Sequence, residues 1–429
     1  MKQLFRFVSI ACLLVYAGSC KPANTDNPDP DNPSTYEFLS GGAPEGLTKA
    51  EKENVAKING FAFKMADQIA GLVKNKSYVY SPVSISYALG MLANGAKGET
   101  LESITSVLGF GSDGLQELNE FNRDLLVLSS RTKSKDEVLE VANAIVADRS
   151  LNIYEQYKER VKNYYDADVI VKSFKTDDVV SFVNNWAAEK THGRIDRVLD
   201  DLDPSCVELL MNALYFKAAW RDPFYEEVTK EELFTGKHDS KRLEKMMRRQ
   251  DDIAYYSSDK FSMVRLPYGY TEGYRTQDSN YSMSLILPAE GVDIDNLVAG
   301  FDSQSWSAAQ SSLSFKLVDL WLPRFDIDFD EDLSDCFKKL GMTAPFAPNA
   351  DFSAMSDHDL FVSFIKQVAN ISVDEEGTEA AAVTVIGMDE SAPPDLNPPV
   401  PIPFHCDRPF LFAITEQTTG AILFMGCYK

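Results

Sequence analysis

The segment VDEEGTEAAAVTVIGM, Val373 to Met388, is followed after Asp389 and Glu390 by SAPPDLNPPVPIPF, Ser391 to Phe404. The first half is small and β-branched and free of proline. The second carries Pro393, Pro394, Pro398, Pro399, Pro401 and Pro403. Proline lacks the N–H that a sheet ladder needs, so the second half is predicted to stay extended and unpaired, while the first can be a strand. Such a join is either a strand running out into an exposed loop, or a loop built so that part of it can become a strand later.

Length and charge bound the rest. The 429 residues are 44% hydrophobic and 11% aromatic, enough for a large core, and length alone favours two or three domains. No internal repeat or linker-like stretch interrupts the chain between Leu47 and the proline-rich segment, so the expectation is one large domain over 47–429, with an exposed loop over about 375–404. Acidic residues outnumber basic ones 65 to 42, for a net charge of −23 and a pI near 4.6. That balance argues against nucleic acid or an anionic membrane as a partner held by bulk charge.

Residues 1–19 read as a signal peptide, set apart from the fold. Lys2 and Arg6 form a short basic region, FVSIACLLVY is apolar but too short to span a bilayer, and AGSC brings small residues up to Cys20. This junction resembles the bacterial lipobox, in which Cys20 becomes the lipidated first residue; ordinary secretion with an incidental cysteine is the alternative. Residues 20–46, rich in Pro, Asn, Asp and Gly, read as a flexible tether from that lipid. The expected location is the bacterial envelope, as an outer-membrane lipoprotein at the surface or released, touching the membrane only through its anchor. Cys206, Cys336, Cys406 and Cys427 lie far apart in sequence with no metal or redox spacing, and are expected to be buried or semi-buried free thiols.

Helical periodicity marks residues 55–72, a helix capped by Ser81 and Pro82, and helices over 114–129, 153–165, 179–190 and 332–340. Strand-like runs cover 138–147, 207–216, 281–288, 314–327, 361–373 and a hairpin over 409–428 turning at Thr418, Thr419 and Gly420. Early helices followed by many long strands indicate an α+β fold, mostly antiparallel. Catalytic motifs are missing: His192, His238, His358 and His405 stand alone, and no nucleophile elbow, phosphate loop or dinucleotide fingerprint is present. DIDFDEDL over 326–333 lacks the glycine and downstream glutamate of a calcium loop, and reads as a strand end entering an acid-rich helix start. The expectation is therefore no metal, no cofactor and no enzyme.

EEGTEAAAVTV, Glu375 to Val385, resembles the hinge of the serpin reactive-centre loop, and other serpin-like motifs follow in order. These are SPVSISYALGMLANGAKGET from Ser81, NNWAAEKTHGRI from Asn184, NALYFKAAW from Asn212 to Trp220, LPY from Leu266, SMSLILP from Ser282, LPRFDID from Leu322, GMTAPFAPNADFSAM from Gly341 and FHCDRPFLFAI from Phe404. The resemblance covers about residues 50–429. It implies three β-sheets, eight or nine helices, an exposed reactive-centre loop, and a suicide-substrate mechanism: a target protease, of serine or cysteine type, cuts the loop and is trapped as an acyl-enzyme when the loop inserts into the main sheet. A non-inhibitory serpin acting as a binding or carrier protein is the alternative.

On that resemblance the hinge is Glu375, Glu376, Gly377, Thr378, Glu379, Ala380, Ala381 and Ala382. Gly377 would be a pivot; strand alternation would put Thr378, Ala380, Ala382 and Thr384 on the inserting face and Glu379 on the solvated one. Counting from Glu375 places the reactive bond at Ser391–Ala392, with Met388 and Glu390 as alternative sites of cleavage. Ser81, Ser84 and Asn212 match the shutter that opens to admit the loop, Trp220 the breach, and Gln367 stands where many members have histidine. Few basic residues lie near 114–135, which argues against a heparin-type cofactor. The protein is expected to be a monomer.

Overall fold

The computed structural model describes residues 8–14, 49–131, 133–134, 137–272, 275–378 and 399–429. Ser81 opens a helix, Pro82–Gly95, that is buried along its whole length. The Ser81 side chain accepts from the Ser84 N–H at 3.0 Å, and Pro82 fills the first turn, where no N–H is required. The helices Lys49–Val73, Leu115–Arg131, Glu155–Tyr165, Val179–Lys190 and Ser334–Lys339 fall where periodicity places them. Two short helices, Ile294–Gly300 and Ser303–Ser311, were not expected; Asp293 and Asp302 cap them.

The first sheet runs in space from Phe325–Asp332 to Ile365–Val373, then across a central position to Glu208–Ala219 and Glu137–Asp148. Asp168–Lys172 and Lys133–Ser134 pair with the outer edge of Glu137–Asp148. The central position holds two segments, the hinge strand Gly377–Thr378 and the N-terminal strand Val8–Leu14. Residues 1–19 were set apart from the fold on sequence; here Val8–Leu14 is hydrogen-bonded on both sides. One face of the sheet packs on the main core through Leu210, Leu214 and Phe216. The other packs through Met211, Ala213 and Tyr215 on a second core that includes Val183 and Ala187 of the Val179–Lys190 helix. This alternation along Glu208–Ala219 is why its sequence is almost continuously apolar.

The remaining strands form a second hydrogen-bonded network of nine. The strand Lys241–Ser257 joins its two halves: it pairs at its start with Lys230–Thr235, from Met246 to Tyr255 with Ser314–Pro323, and at its end with Phe261–Glu272. The second half continues through Arg275–Pro288, Phe410–Glu416, Ile422–Tyr428 and Tyr78–Tyr80. The expected single run over 314–327 is two strands broken at Arg324, where the chain leaves one sheet for the other. In DIDFDEDL, Asp326 and Asp328 both accept from the Asn370 amide at 2.9 and 2.7 Å, and Asp332 accepts from the Ser334 N–H at 2.8 Å. Those acids are thus occupied as the strand-to-helix reading requires.

One expectation is corrected. Residues from Pro393 to Pro403 were predicted to stay unpaired, yet Ile402–His405 is a strand, parallel to Ser314–Pro323, with Pro403 opposite Asp319. The strand lies at the edge of its network, where one side of the backbone needs no partner, so a missing N–H is tolerated. His405 fastens its end: the ring stacks on Trp321 at 3.9 Å, and Nε2 lies 2.8 Å from Asp319 Oδ2.

Candidate functional site

The hinge leaves the Ile365–Val373 strand through a turn held by Asp374, whose carboxylate accepts from the Glu376 and Gly377 N–H groups at 3.0 and 3.2 Å. Burial raises the pKa of that carboxyl. Trp220 grips the turn twice, donating its backbone N–H to Glu376 O and its indole N–H to Asp374 O, each at 2.9 Å. The Phe224 N–H donates to Glu375 O at 2.9 Å. The Glu375 side chain is buried, 2.5 Å from the Arg324 guanidinium, and accepts from the Thr229 hydroxyl at 2.5 Å. A buried carboxylate is stable when so paired.

Gly377 enters the sheet with φ near +151°, and a Cβ there would lie 2.5 Å from Ala218 O and 2.7 Å from Ala219 Cα. Glycine is needed both for that backbone angle and for the close approach. Thr378 pairs with Val373 on one side and Ala218 on the other. It is fully buried, its hydroxyl 2.7 Å from that of Tyr268, which stacks on Trp220 with ring centroids 4.6 Å apart. Thr378 therefore stands on the inward face, as strand alternation predicts.

Below Thr378 the central position is a track with a defined register. Continuing the pairing of Thr378 with Ala218, the place facing Leu214 lies four residues down the track; continuing its pairing with Val373, the place facing Ala369 is the same one. Ser9 occupies that place, paired with both Leu214 and Ala369. The N-terminal strand thus follows the line of the hinge, in the same direction, down to Leu14 opposite Leu209.

Behind the track, the expected shutter residues meet. Ser84 Oγ hydrogen-bonds Asn212 Oδ1, and Gln367 Nε2 donates to Ser81 O at 3.2 Å. The network extends through two residues that sequence reasoning missed: Asn212 Nδ2 donates to Asn143 Oδ1 at 2.8 Å, and Asn143 Nδ2 donates to Tyr165 O at 2.6 Å. Ser81, Ser84, Asn143, Asn212 and Gln367 are all buried. Buried polar groups linked in this way fix the relation of the helix Pro82–Gly95 to both central strands.

At the foot of the track Glu208 is fully buried, its carboxylate lacks a hydrogen-bond partner among the described residues, and burial pushes its pKa up to about 8. Cys206, Cys336, Cys406 and Cys427 are buried thiols; burial raises the Cys336 thiol to about 11 and the Cys427 thiol to about 12. Glu379, Ala380, Ala381, Ala382, Met388, Glu390, Ser391, Ala392 and Cys20 lie outside the described residues.

Comparison with known proteins agrees with this geometry. The family model Serpin (serine protease inhibitor) matches residues 56–428. Serpin-Z1C of Triticum aestivum is 34% identical over 391 residues, covering 87% of this chain and 95% of its own. An uncharacterized serpin-like protein of Thermococcus kodakarensis is 31% identical over 427 residues, covering 97% of this chain and 96% of its own. Among solved structures, the thermophilic serpin tengpin in its native state superposes with a TM-score of 0.77 at 25% identity, over 90% of this chain and 96% of its own. Human thyroxine-binding globulin complexed with thyroxine superposes with a TM-score of 0.76 at 25% identity, over 88% of this chain and 98% of its own. With the strand Gly377–Thr378 seated at the head of a central track, the buried network of Ser81, Ser84, Asn143, Asn212 and Gln367 behind that track and its three-sheet α+β architecture, this chain belongs to the serpin family.

Proposed function

We propose that this serpin is a protease inhibitor acting as a suicide substrate. A serine or cysteine protease attacks the loop, the bond is cut with formation of an acyl-enzyme, and the freed hinge descends the track, carrying the attached protease away before water can release it. The observation that carries this reading is the seating of Gly377–Thr378: the strand that must insert is started, in register, with its first inward side chain buried. The residues that follow suit continuation, since the next three inward register places fall to Ala380, Ala382 and Thr384, all small and uncharged. Once the track is clear of Val8–Leu14, each further residue exchanges open ladder positions for paired ones.

The reactive bond in this reading is Ser391–Ala392, with Met388 and Glu390 as the alternative sites. Cys20 carries a lipid, residues 21–46 hold the domain off the membrane, and the inhibitor works as a monomer at a bacterial envelope. A screen of the purified protein against elastase-like, chymotrypsin-like and glutamate-specific proteases tests this. A covalent complex stable in denaturant, with a released C-terminal fragment beginning at Ala392, is the expected result. Complete cleavage without any complex, across all classes, would overturn it.

The second reading is a carrier. It is favoured by a cleft of about 520 Å³ between Lys57, Phe61, Lys64, Phe301 and Ser303, a size that suits a small molecule, and by the likeness to thyroxine-binding globulin. Saturable binding of an apolar fluorescent probe in that cleft, together with no protease complex, would select it.

A further inference from the structure

The central track is occupied by the chain's own N-terminus, and the manner of occupation is specific. Val8–Leu13 pairs residue by residue with Asn370–Ile365, and Ser9–Leu14 pairs with Leu214–Leu209. Both ladders are antiparallel, as the hinge strand's are. Both place Ser9 at the register position that Ala382 would reach on insertion.

The sequences match on the same register. VSIACLL, residues 8–14, has no charge, proline or glycine, and stands in the places of AAVTVIG, residues 381–387. Ser9, Ala11 and Leu13 take the register places of Ala382, Thr384 and Ile386: small, small, then branched aliphatic in both. Val8, Ile10 and Cys12 take those of Ala381, Val383 and Val385. Such a segment suits a central strand buried on both faces. It also satisfies backbone groups of two strands that would otherwise face an open gap over 209–214 and 365–370.

We propose that the segment Val8–Leu14 is an internal mimic of the reactive loop, and that a chain retaining it is held closed and unable to trap a protease. Removal of residues 1–19 on export then opens the track and arms the inhibitor, so that the precursor is inert where it is made. The docking stands on the pairing and the sequence match; its effect on trapping rests on the inhibitory reading above.

Two measurements separate these parts. Backbone hydrogen exchange is compared between the full chain, the full chain carrying Ile10→Pro and Ala11→Pro, and a chain beginning at Cys20. Proline cannot donate to either neighbouring strand. Amides over 209–214 and 365–370 should exchange about tenfold or more faster in both altered chains than in the full chain; equal exchange in all three overturns the docking. Trapping is then read with an elastase-like and a chymotrypsin-like protease. The full chain should be cut without forming a covalent complex, whereas the chain beginning at Cys20 should form one. Equal trapping by both overturns the lock. Trapping by neither overturns the inhibitory reading, while exchange still decides the docking.

Discussion

The hydroxyls of Thr378 and Tyr268 lie 2.7 Å apart in the buried interior, and this contact fixes which face of the hinge looks inward. A strand alternates, so one anchored residue sets the facing of all that follow it on insertion.

Thr378→Arg should leave the site of cleavage unchanged but convert the protein from inhibitor to substrate. Burying an unpaired guanidinium costs several kcal/mol, on the order of the penalty for any uncompensated interior charge, and slows insertion relative to deacylation. Glu379→Arg, at the next register position, should have a much smaller effect. Denaturing electrophoresis of protease mixtures checks this; undiminished complex formation by Thr378→Arg would refute the insertion model.

Gly377→Val should unseat the hinge strand even without protease. Its side chain would strike the backbone of Ala218 and Ala219, and φ near +151° is unsuited to a β-branched residue. Faster exchange at the amides of Thr378 and Trp220, with overall secondary structure retained, is the expected readout.

Arg324→Met should lower the thermal transition by removing the partner of buried Glu375. About 1–3 kcal/mol is expected, reduced from the value for a fully buried pair because Arg324 is partly exposed. The double variant Arg324→Met with Glu375→Gln should recover most of the loss, and a transition unchanged by the single substitution would show that the pair contributes nothing.

Glu208 gives the protein a pH dependence of definite sign. Burial lifts its pKa from 4.5 to about 8, so the folded state holds a proton that the unfolded chain releases. Its contribution to stability is complete below about pH 4.5, falls as pH rises toward about 8, and is lost above that, at about 1.4 kcal/mol per pH unit within the window. Glu208→Gln should remove this slope, and its advantage in melting temperature over wild type should grow between pH 5 and pH 8. A constant difference across that range would count against a protonated Glu208.

Cys20→Ala should move the protein from the membrane fraction to the soluble one when expressed in a bacterium with a lipoprotein pathway. Unchanged membrane retention would remove the lipid anchor from the model of its location.

Much of the site was legible because its signals are local. Two-residue alternation after Gly377 put Thr378 on the buried face, and the Ser81-Pro82 start announced a helix whose cap residue also accepts from Gln367. What stayed hidden depends on pairings across long sequence separations. Tyr268 lies within a quoted motif, but its link to Thr378 exists only once two sheets are stacked. Asn143 sits in an ordinary-looking strand run and gains its role from register with Asn212. Lys241–Ser257 was missed because it is crowded with charge, although Met246, Met247 and Ile253 are buried. Pro403 was misjudged because edge position, which excuses a missing N–H, is a property of the assembled sheet.

The four-residue strand Ile402–His405 has a consequence for time. It anchors the far end of the loop, while Thr378 anchors the near end in a different sheet. An uncut loop cannot run the whole length of the track while both moorings hold; it must first unzip Ile402–His405 and break the clasp of His405 on Asp319 and Trp321. On the inhibitory reading, cleavage of the loop removes that requirement, and the lifetime of the uncut molecule is then a rate set by how often one short edge strand lets go.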